Sequence, residues 1–197
     1  MILPRDFYLR EDVVNIARDL LGKVLVTRFA GQLTAGIITE TEAYAGVTDR
    51  ASHAFGGRRT ARTEIMYRIG GTAYIYLCYG VHSLFNIVTN VEGIPHAVLV
   101  RGIKPVEGIP VMLERTGKPD LTRKISDGPG KVSKAMGIHF KDTGKDLVLE
   151  GTSQGEGIWL EDHEIRIRQG EIIAGPRIGV EYAGEDALLP YRFMIPW

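Results

Sequence analysis

The sequence predicts an α+β fold, a single compact domain over residues 1–197 built around a curved, mostly antiparallel sheet with short helices. The 197 residues are 44% hydrophobic, which is enough for one sizeable core and too little for two. Short apolar runs alternate with turn-forming residues, and the 24 glycines agree with a turn-rich sheet. The regular alternation of strand and helix that predicts a parallel sheet is not seen in the sequence.

The first third of the chain predicts a helix, a hairpin and a long loop. Residues 12–21 place five apolar side chains on one helical face, and Gly22 follows as a cap. Residues 23–29 and 33–42 are typical of two strands joined by a tight turn. Residues 44–60 are polar and contain glycine, which predicts a long surface loop, and such loops are often functional.

The remaining residues predict further strands and three short helices. The helical segments are residues 60–68, 105–115 and 130–136. The strand-like segments are residues 72–79, 84–90 and 97–103. The last sixty residues alternate short apolar runs, such as 147–149 and 165–167, with turns. This order of elements favours an antiparallel sheet.

The cysteine content and the hydropathy of the chain lead us to expect an intracellular protein. The single cysteine, Cys78, excludes an internal disulfide and an iron–sulfur cluster, so a reducing, intracellular compartment is expected. The N-terminal residues lack the apolar segment of a signal peptide. Residues 69–91 lack Asp, Glu, Lys and Arg, but their glycines and asparagines predict buried strands rather than a membrane helix.

Charge is distributed unevenly along a chain whose formal net charge is zero. Residues 50–134 contain 13 basic and 6 acidic side chains, a local excess of seven positive charges. Phosphate attraction depends on local potential rather than on net charge, so this segment is a candidate nucleic-acid face. An ordinary solvated surface remains the alternative.

Two glutamates in one predicted strand are the first candidates for chemistry. Side chains two residues apart in a regular strand point to the same face, so Glu40 and Glu42 are expected about 7 Å apart. On an exposed edge strand such a pair would have no special role. The apolar residues 35–38 before the pair and Tyr44 after it favour a functional interpretation.

Arginines occur in two different settings. The loop 56–62 combines glycines with three arginines, which suits phosphate binding but equally suits a solubilising turn. Arg101 instead ends the apolar run 98–100. A buried arginine needs a carboxylate or an anionic ligand, and Glu42 is the candidate partner.

A histidine and three tyrosines complete the candidate residues. His53, Glu40 and Glu42 would be the ligands of a metal-dependent hydrolase, but their spacing matches no zinc or iron pattern, and we expect no metal. Tyr74, Tyr76 and Tyr79 lie on one predicted strand, with Tyr74 and Tyr76 on the same face. They are either ordinary sheet residues or stacking surfaces for bases.

Taken together, these segments resemble the alkyladenine (3-methyladenine) DNA glycosylase family. The resemblance covers nearly the whole chain, in order and with compatible spacing, and only the ordered set is specific. The matching segments are Glu40-Thr41-Glu42-Ala43-Tyr44, His53-Ala54-Phe55-Gly56-Gly57-Arg58, Thr60-Ala61-Arg62, Gly71-Thr72-Ala73-Tyr74-Ile75-Tyr76, Tyr79-Gly80, Asn86-Ile87, Val98-Leu99-Val100-Arg101, Gly128-Pro129-Gly130-Lys131, Arg177-Ile178-Gly179-Val180 and Pro190-Tyr191-Arg192-Phe193.

The resemblance implies a role for each of seven residues. Glu42 would be the general base that activates water, and Arg101 would help to hold that water. A base-binding pocket would be formed by Tyr44 on one face of the flipped base, His53 and Tyr76 on the other, and Asn86 excluding bulky groups. Tyr79 would wedge into the minor groove. Phosphate contacts are predicted for Arg58, Arg59, Arg62 and Lys131, with Asp127 placing a negative charge beside the last.

The expected activity is excision of alkylated purines, 3-methyladenine and related lesions, flipped out of duplex DNA, in base-excision repair. The resemblance implies a monofunctional enzyme that hydrolyses the N-glycosidic bond without a cofactor or metal and leaves an abasic site. Its partner would be double-stranded DNA containing damaged bases, with no membrane and no obligate protein partner. We expect a cytoplasmic location, associated with the nucleoid through DNA. A non-catalytic binder of DNA or RNA is the alternative from another class.

Overall fold

The computed structural model describes residues 1–148 and 155–196, and its eight strands belong to one antiparallel sheet. The strands are β1 (Val24–Phe29), β2 (Gln32–Tyr44), β3 (Ala73–Cys78), β4 (His82–Thr89), β5 (His96–Glu107), β6 (Gly157–Glu161), β7 (Ile173–Gly175) and β8 (Arg192–Met194). The order along the sheet is β3-β4-β5-β2-β1-β6, and β8 pairs with both β2 and β7. The predicted α+β fold with a curved, mostly antiparallel sheet is confirmed.

Four short α-helices accompany the sheet: α1 (Arg5–Tyr8), α2 (Val13–Asp19), α3 (Ile109–Thr116) and α4 (Pro129–Met136). The carboxylate of Asp12 begins α2 by accepting the backbone N–H groups of Val14 and Asn15. The helix ends at Asp19 and Leu20 is its C-cap, two residues before the predicted glycine cap. Gly22, with φ of 82°, instead turns the chain from the helix toward β1.

The predicted hairpin is β1 and β2, joined by Ala30 and Gly31. Both residues have positive φ, 51° and 74°, as a two-residue turn of the primed type requires. Phe29 pairs directly with Gln32, so Gln32 belongs to the strand rather than to the turn. The turn fixes the register of β2, and with it the position of both candidate glutamates.

The sheet is covered on both faces by apolar groups. Helix α2 packs on β2, and α4 packs on β4 and β5, with Ile16, Phe85 and Met136 fully buried in the main core. On the other face, Tyr74 and Val88 pack against a second cluster that includes Ala54 and Met66 from the segment after β2. This second cluster forms the base of the candidate site.

The predicted surface loop over residues 44–60 is only partly exposed. Asp49, Ala51, Ser52 and Ala54 are buried, because the carboxylate of Asp49 binds backbone N–H groups within the loop and an arginine from the C-terminal region. The loop is folded into single 3-10 turns. Its polar composition reflects internal hydrogen bonding as well as contact with solvent.

Two predicted helices have different bounds. Residues 60–68 contain only the 3-10 turn Glu64–Tyr67. Strand β5 continues to Glu107, so residues 105–107 are extended rather than helical. Pro105 is tolerated there because it lies at a register shift opposite Gly36. Gly108, with φ of 69°, then separates the strand from α3.

Three segments that were predicted to be strand-like or apolar agree with the structure to different degrees. Residues 165–167 form no strand, although Ile167 packs against Gly22. Leu147 and Val148 are buried, whereas Leu149 lies outside the described residues. The segment 69–91 forms β3 and β4, as expected. In the described ranges, no helix has the length and apolar character needed to cross a membrane.

Candidate active site

A cavity of about 460 Å³ lies against β3, β4 and β5 and gathers residues that are far apart in the sequence. Six of the predicted site residues line it: Tyr44, His53, Tyr76, Tyr79, Asn86 and Arg101. Its walls also include Met66, Tyr74, Leu99 and Tyr182. The cavity is therefore largely aromatic and apolar, with a few polar groups, as is typical of sites for flat organic ligands.

Glu42 lies directly behind this wall, on β2, with no solvent-exposed surface. Its Oε2 accepts a hydrogen bond of 2.7 Å from the Tyr44 hydroxyl. Its Oε1 accepts one of 2.9 Å from the backbone N–H of Ile178 and lies 3.3 Å from Nε of Arg101. Tyr44, Ile178 and Arg101 contact the Glu42 carboxylate and also line the cavity, so they connect Glu42 to it.

Two register shifts between β2 and β5 bring Arg101 to the glutamates. Glu40 pairs with Gly102 and Thr41 with Val100, so Arg101 has no directly opposed residue on β2. Bulges of this kind redirect a side chain and are frequent next to active sites. The predicted shared face of Glu40 and Glu42 is confirmed, because the same Arg101 Nε reaches both carboxylates.

The closer partner of Arg101 is Glu40, which the sequence did not single out for this role. Arg101 Nε donates to Glu40 Oε1 at 3.0 Å, and Arg192 donates to the same oxygen at 3.2 Å. Glu40, itself bound by Arg192, therefore holds the Arg101 guanidinium in place. The predicted pairing of Arg101 with Glu42 is present as well, at the longer distance.

Burial dominates the proton affinity of Glu42. Desolvation raises the pKa of its carboxyl above the ordinary value of 4.5, and the nearby Glu40 charge acts in the same direction. The Arg101 charge and the hydrogen bonds from Ile178 and Tyr44 oppose the rise. A carboxylate with a raised pKa is a stronger base than an exposed one, which suits proton abstraction from water.

Tyr44 is held by a buried ion pair that sequence reasoning missed. The Arg177 guanidinium lies 4.8 Å from the centre of the Tyr44 ring and donates two hydrogen bonds to the Asp49 carboxylate. It also donates to the carbonyl of Ala43 at 2.8 Å. Because Arg177 precedes Ile178 in the chain, the same pair places the Ile178 N–H against Glu42.

His53 is part of an aromatic group rather than a solvent-facing loop residue. Its Nδ1 lies 2.8 Å from the Tyr74 hydroxyl, and its ring meets the Tyr76 ring edge-on with centroids 4.7 Å apart. Burial, followed by the positive charges of Arg62 and Arg58, lowers the pKa of His53 to about 4. The imidazole is therefore neutral at physiological pH.

The residues considered as metal ligands have other partners. Glu40 and Glu42 are engaged by arginines, and His53 is hydrogen-bonded to Tyr74. In the described part of the chain, no three His, Cys, Asp or Glu side chains are grouped so that they could hold a metal ion.

Asn86 is buried in the wall formed by β4. Its amide nitrogen donates to the backbone carbonyls of Tyr74 at 3.1 Å and Leu84 at 3.2 Å. Both amide hydrogens are thus used to fix the side chain. A fixed side chain gives the cavity a defined wall at this position.

Tyr79 occupies the turn between β3 and β4, one residue beyond the strand that was predicted to contain it. Its side chain is 93% exposed, and its backbone has φ of 51°, a conformation that bulky residues rarely adopt. Val81, two residues further, is also exposed. The hairpin tip therefore presents a large apolar ring to the outside at the edge of the cavity.

The predicted phosphate-binding residues lie on the surface around the cavity. Arg58, Arg59 and Arg62 are exposed, and the Arg62 guanidinium lies 5.9 Å from the centre of the Tyr76 ring. Arg59 covers the Tyr67 ring. Lys131 lies on α4, where its Nζ is 2.7 Å from Asp127 Oδ1. Asp127 therefore neutralises part of this lysine's charge.

The fold and the cavity define an enzyme-type site in which a buried carboxylate stands behind a pocket for a flat ring. A family model for methylpurine-DNA glycosylase (MPG) matches residues 6–196. The chain belongs to the methylpurine-DNA glycosylase family, a family of DNA-repair glycosylases for alkylated bases.

Curated relatives agree with this membership over the full length of the chain. Proteins named "Putative 3-methyladenine DNA glycosylase" are similar to it at 45% identity in Chlamydia abortus, over 98% of each chain. The relative from Bacillus cytotoxicus is 41% identical over 98% of this chain and 95% of its own. The relative from Clostridium acetobutylicum is 42% identical over 99% and 94%.

Proposed function

We propose that this chain hydrolyses the N-glycosidic bond of alkylated purines, such as 3-methyladenine, that are flipped out of duplex DNA. The observation that carries the proposal is the buried Glu42 carboxylate, joined through Tyr44 and Arg101 to an aromatic cavity. A protein that only binds DNA gains nothing from a buried carboxylate at this place, and a buried charge is costly.

The cavity suits a positively charged purine. The Tyr44, Tyr76 and His53 rings all line the cavity, and the last two are in edge-on contact. Alkylation leaves many purines cationic, and aromatic rings attract a stacked cation by roughly 0.5–2 kcal/mol. Because His53 is neutral, it adds no repulsive charge to this stack. The wall formed by the fixed Asn86 limits the size of the base that enters.

The reaction requires a base for water and stabilisation of the sugar. Glu42 takes a proton from water as the water oxygen bonds to the anomeric carbon and the glycosidic bond to the purine nitrogen breaks. The bonding electrons leave with the base, which is a good leaving group when it is alkylated. Until it accepts that proton, the negative charge of the Glu42 carboxylate stabilises the oxocarbenium character that develops on the sugar. Arg101 orients the water against the carboxylate, and Glu40, which also accepts a hydrogen bond from Arg192, holds Arg101 in place.

Tyr79 serves as the plug that replaces the flipped nucleotide, because its ring is exposed at the tip of the hairpin between β3 and β4, at the cavity edge. Changing Tyr79 to alanine should weaken binding to a duplex with one lesion, since the extruded state loses this stacking partner. Unfolding in urea should be almost unchanged, because the side chain is 93% exposed. An unaltered affinity for the lesion duplex in a titration would contradict the wedge role.

Arg58, Arg59, Arg62 and Lys131 are proposed to contact DNA phosphates around the cavity. They are exposed, and they belong to the basic segment of the chain. Phosphate contacts position a duplex without reading its sequence, which suits a lesion-directed enzyme. The reaction as written needs no cofactor or obligate protein partner, and we propose a cytoplasmic location with nucleoid association through DNA.

The enzyme is expected to be monofunctional, leaving an abasic site in an unbroken strand. Strand cleavage by covalent catalysis needs an amine that forms a Schiff base with the sugar. Among the described residues that line the cavity, none is a lysine. Borohydride treatment during turnover should therefore trap no protein–DNA adduct, and the strand should break only after alkali. A trapped adduct detected by gel electrophoresis would contradict this mechanism.

A further inference from the structure

A second cavity, of about 560 Å³, lies beside the aromatic cavity. Both cavities have Cys78, Tyr79, Leu84 and Pro129 in their walls, so the hairpin tip with Tyr79 stands between them. We call the second cavity the lysine cleft, because four lysines line it: Lys118, Lys124, Lys131 and Lys134. None of the roles assigned above, apart from the phosphate contact of Lys131, accounts for it.

The lysine cleft has a cationic rim over an apolar floor. Lys131 is paired with Asp127, whereas Lys118, Lys124 and Lys134 are exposed and have no carboxylate partner in the described part of the chain. No Asp or Glu occurs among the described residues that line the cleft. Buried Leu84 and Ile125 lie in its floor. Unpaired lysines converging on one cleft produce a strong local positive potential.

This combination matches the backbone of a nucleic acid strand. Each nucleotide presents an anionic phosphate and the mainly apolar carbon face of a sugar. The lysines would neutralise the phosphates and release their counterions, and the floor would contact the sugars. The cleft is also continuous with the hairpin tip that is proposed to enter DNA, so both surfaces would meet the same duplex.

The position of Tyr79 decides which strand the cleft faces. In the proposed function, which this inference assumes, Tyr79 takes the place of the flipped nucleotide and so lies between the two strands. The aromatic cavity on one side of Tyr79 takes a nucleotide from the damaged strand. The lysine cleft on the other side then faces the opposite strand. We propose that the lysine cleft binds the sugar–phosphate backbone of the undamaged strand across from the lesion.

Two matched double variants test this proposal. The first, Lys118→Gln with Lys134→Gln, removes two charges from the cleft. The second, Arg166→Gln with Arg168→Gln, removes two exposed charges that follow β6, at the opposite edge of the sheet. Both are assayed on a duplex carrying one reduced abasic site, which has no base to release, and on the damaged strand alone. Binding is measured from low to moderate salt.

The cleft variant should bind the duplex at least about tenfold more weakly at low salt, and its log–log salt slope should be shallower by about 2. Its affinity for the single strand should equal that of the unmodified protein. The control variant should bind both the duplex and the single strand as tightly as the unmodified protein does. Neutral methylphosphonate linkages in the undamaged strand should weaken binding by the unmodified protein, and should weaken binding by the cleft variant less, because only Lys124 and Lys131 remain in its cleft.

The proposal would be overturned if the cleft variant lost affinity equally for the single strand and for the duplex. It would also be overturned if methylphosphonates weakened binding only when they are placed in the damaged strand. An unchanged duplex affinity would overturn it as well. These measurements use DNA that cannot be processed. Failure of the proposed function would instead appear as a lack of purine release from methylated DNA by the unmodified chain.

Discussion

Replacing Glu42 with glutamine is expected to lower the rate of purine excision by at least about 10²–10⁴-fold, the usual contribution of a general base. Glutamine keeps the size of the side chain. Its one amide oxygen can accept from the Ile178 N–H, and the Tyr44 hydroxyl can turn to accept from the amide NH2. It cannot accept the proton of water. Loss of the negative charge near the sugar adds to the effect. Single-turnover kinetics with methylated duplex DNA measure the change, and DNA binding should survive because a charge that repels phosphate is removed.

Glu40→Gln is the matched control for this experiment. It changes the same type of side chain on the same face of β2, but Glu40 pairs with Arg101 and Arg192, whereas Glu42 is bound by the Tyr44 hydroxyl and the Ile178 N–H. Glutamine retains an oxygen that can accept from Arg101 and Arg192, so only a small reduction in rate is expected. Equal impairment of the two variants, or a larger loss with Glu40→Gln, would show that Glu42 is not the base.

Replacing Arg177 with methionine is expected to lower the free energy of unfolding by about 3–5 kcal/mol, because it leaves the Asp49 carboxylate buried without its ionic partner. Both side chains are almost completely inaccessible to solvent. The change also removes the support of the Tyr44 ring and of the Ala43 carbonyl. Urea denaturation measures the loss of stability, and excision should fall in parallel, since Tyr44 and Ile178 both depend on Arg177.

Two further variants separate the buried pair from a general effect of removing an arginine. Arg166→Met, on the exposed surface, should change stability by no more than about 0.5 kcal/mol. Adding Asp49→Asn to Arg177→Met should recover part of the lost stability, because the uncompensated charge is then gone. A loss below about 1 kcal/mol for Arg177→Met alone would contradict the structural role given to this ion pair.

The sequence predicted elements well where local patterns determine them. The turn at Ala30 and Gly31 sets the register of β2. The alternation of side chains along this strand was enough to predict that Glu40 and Glu42 share a face. The end of β5 was misjudged because Pro105 is a helix-start signal in isolation, whereas pairing with β2 keeps it extended. Tertiary pairing overrode local propensity at that point.

The sequence was enough to predict which residues lie together at the candidate site, but not the ion pairs and hydrogen bonds that join them. The six residues that line the cavity were identified from motifs, and the structure brings them together. The role of Glu40 in holding Arg101 depends on two compensating register shifts, which no pattern of residue types reveals. The Asp49–Arg177 pair joins positions 128 residues apart, inside a loop whose polar composition predicted exposure. Arg177 stood in one of the matching motifs, but nothing in the sequence pointed to Asp49 as its partner.

Base excision by this protein can be measured directly by identifying the bases that it releases from alkylated DNA. Duplex DNA treated with a methylating agent is incubated with the unmodified chain and with Glu42→Gln, and the free bases are analysed by mass spectrometry. We expect the unmodified chain to release 3-methyladenine with or without a chelator, and Glu42→Gln to release it at least about 100-fold more slowly. Absence of any released purine, or equal release by the two proteins, would contradict it.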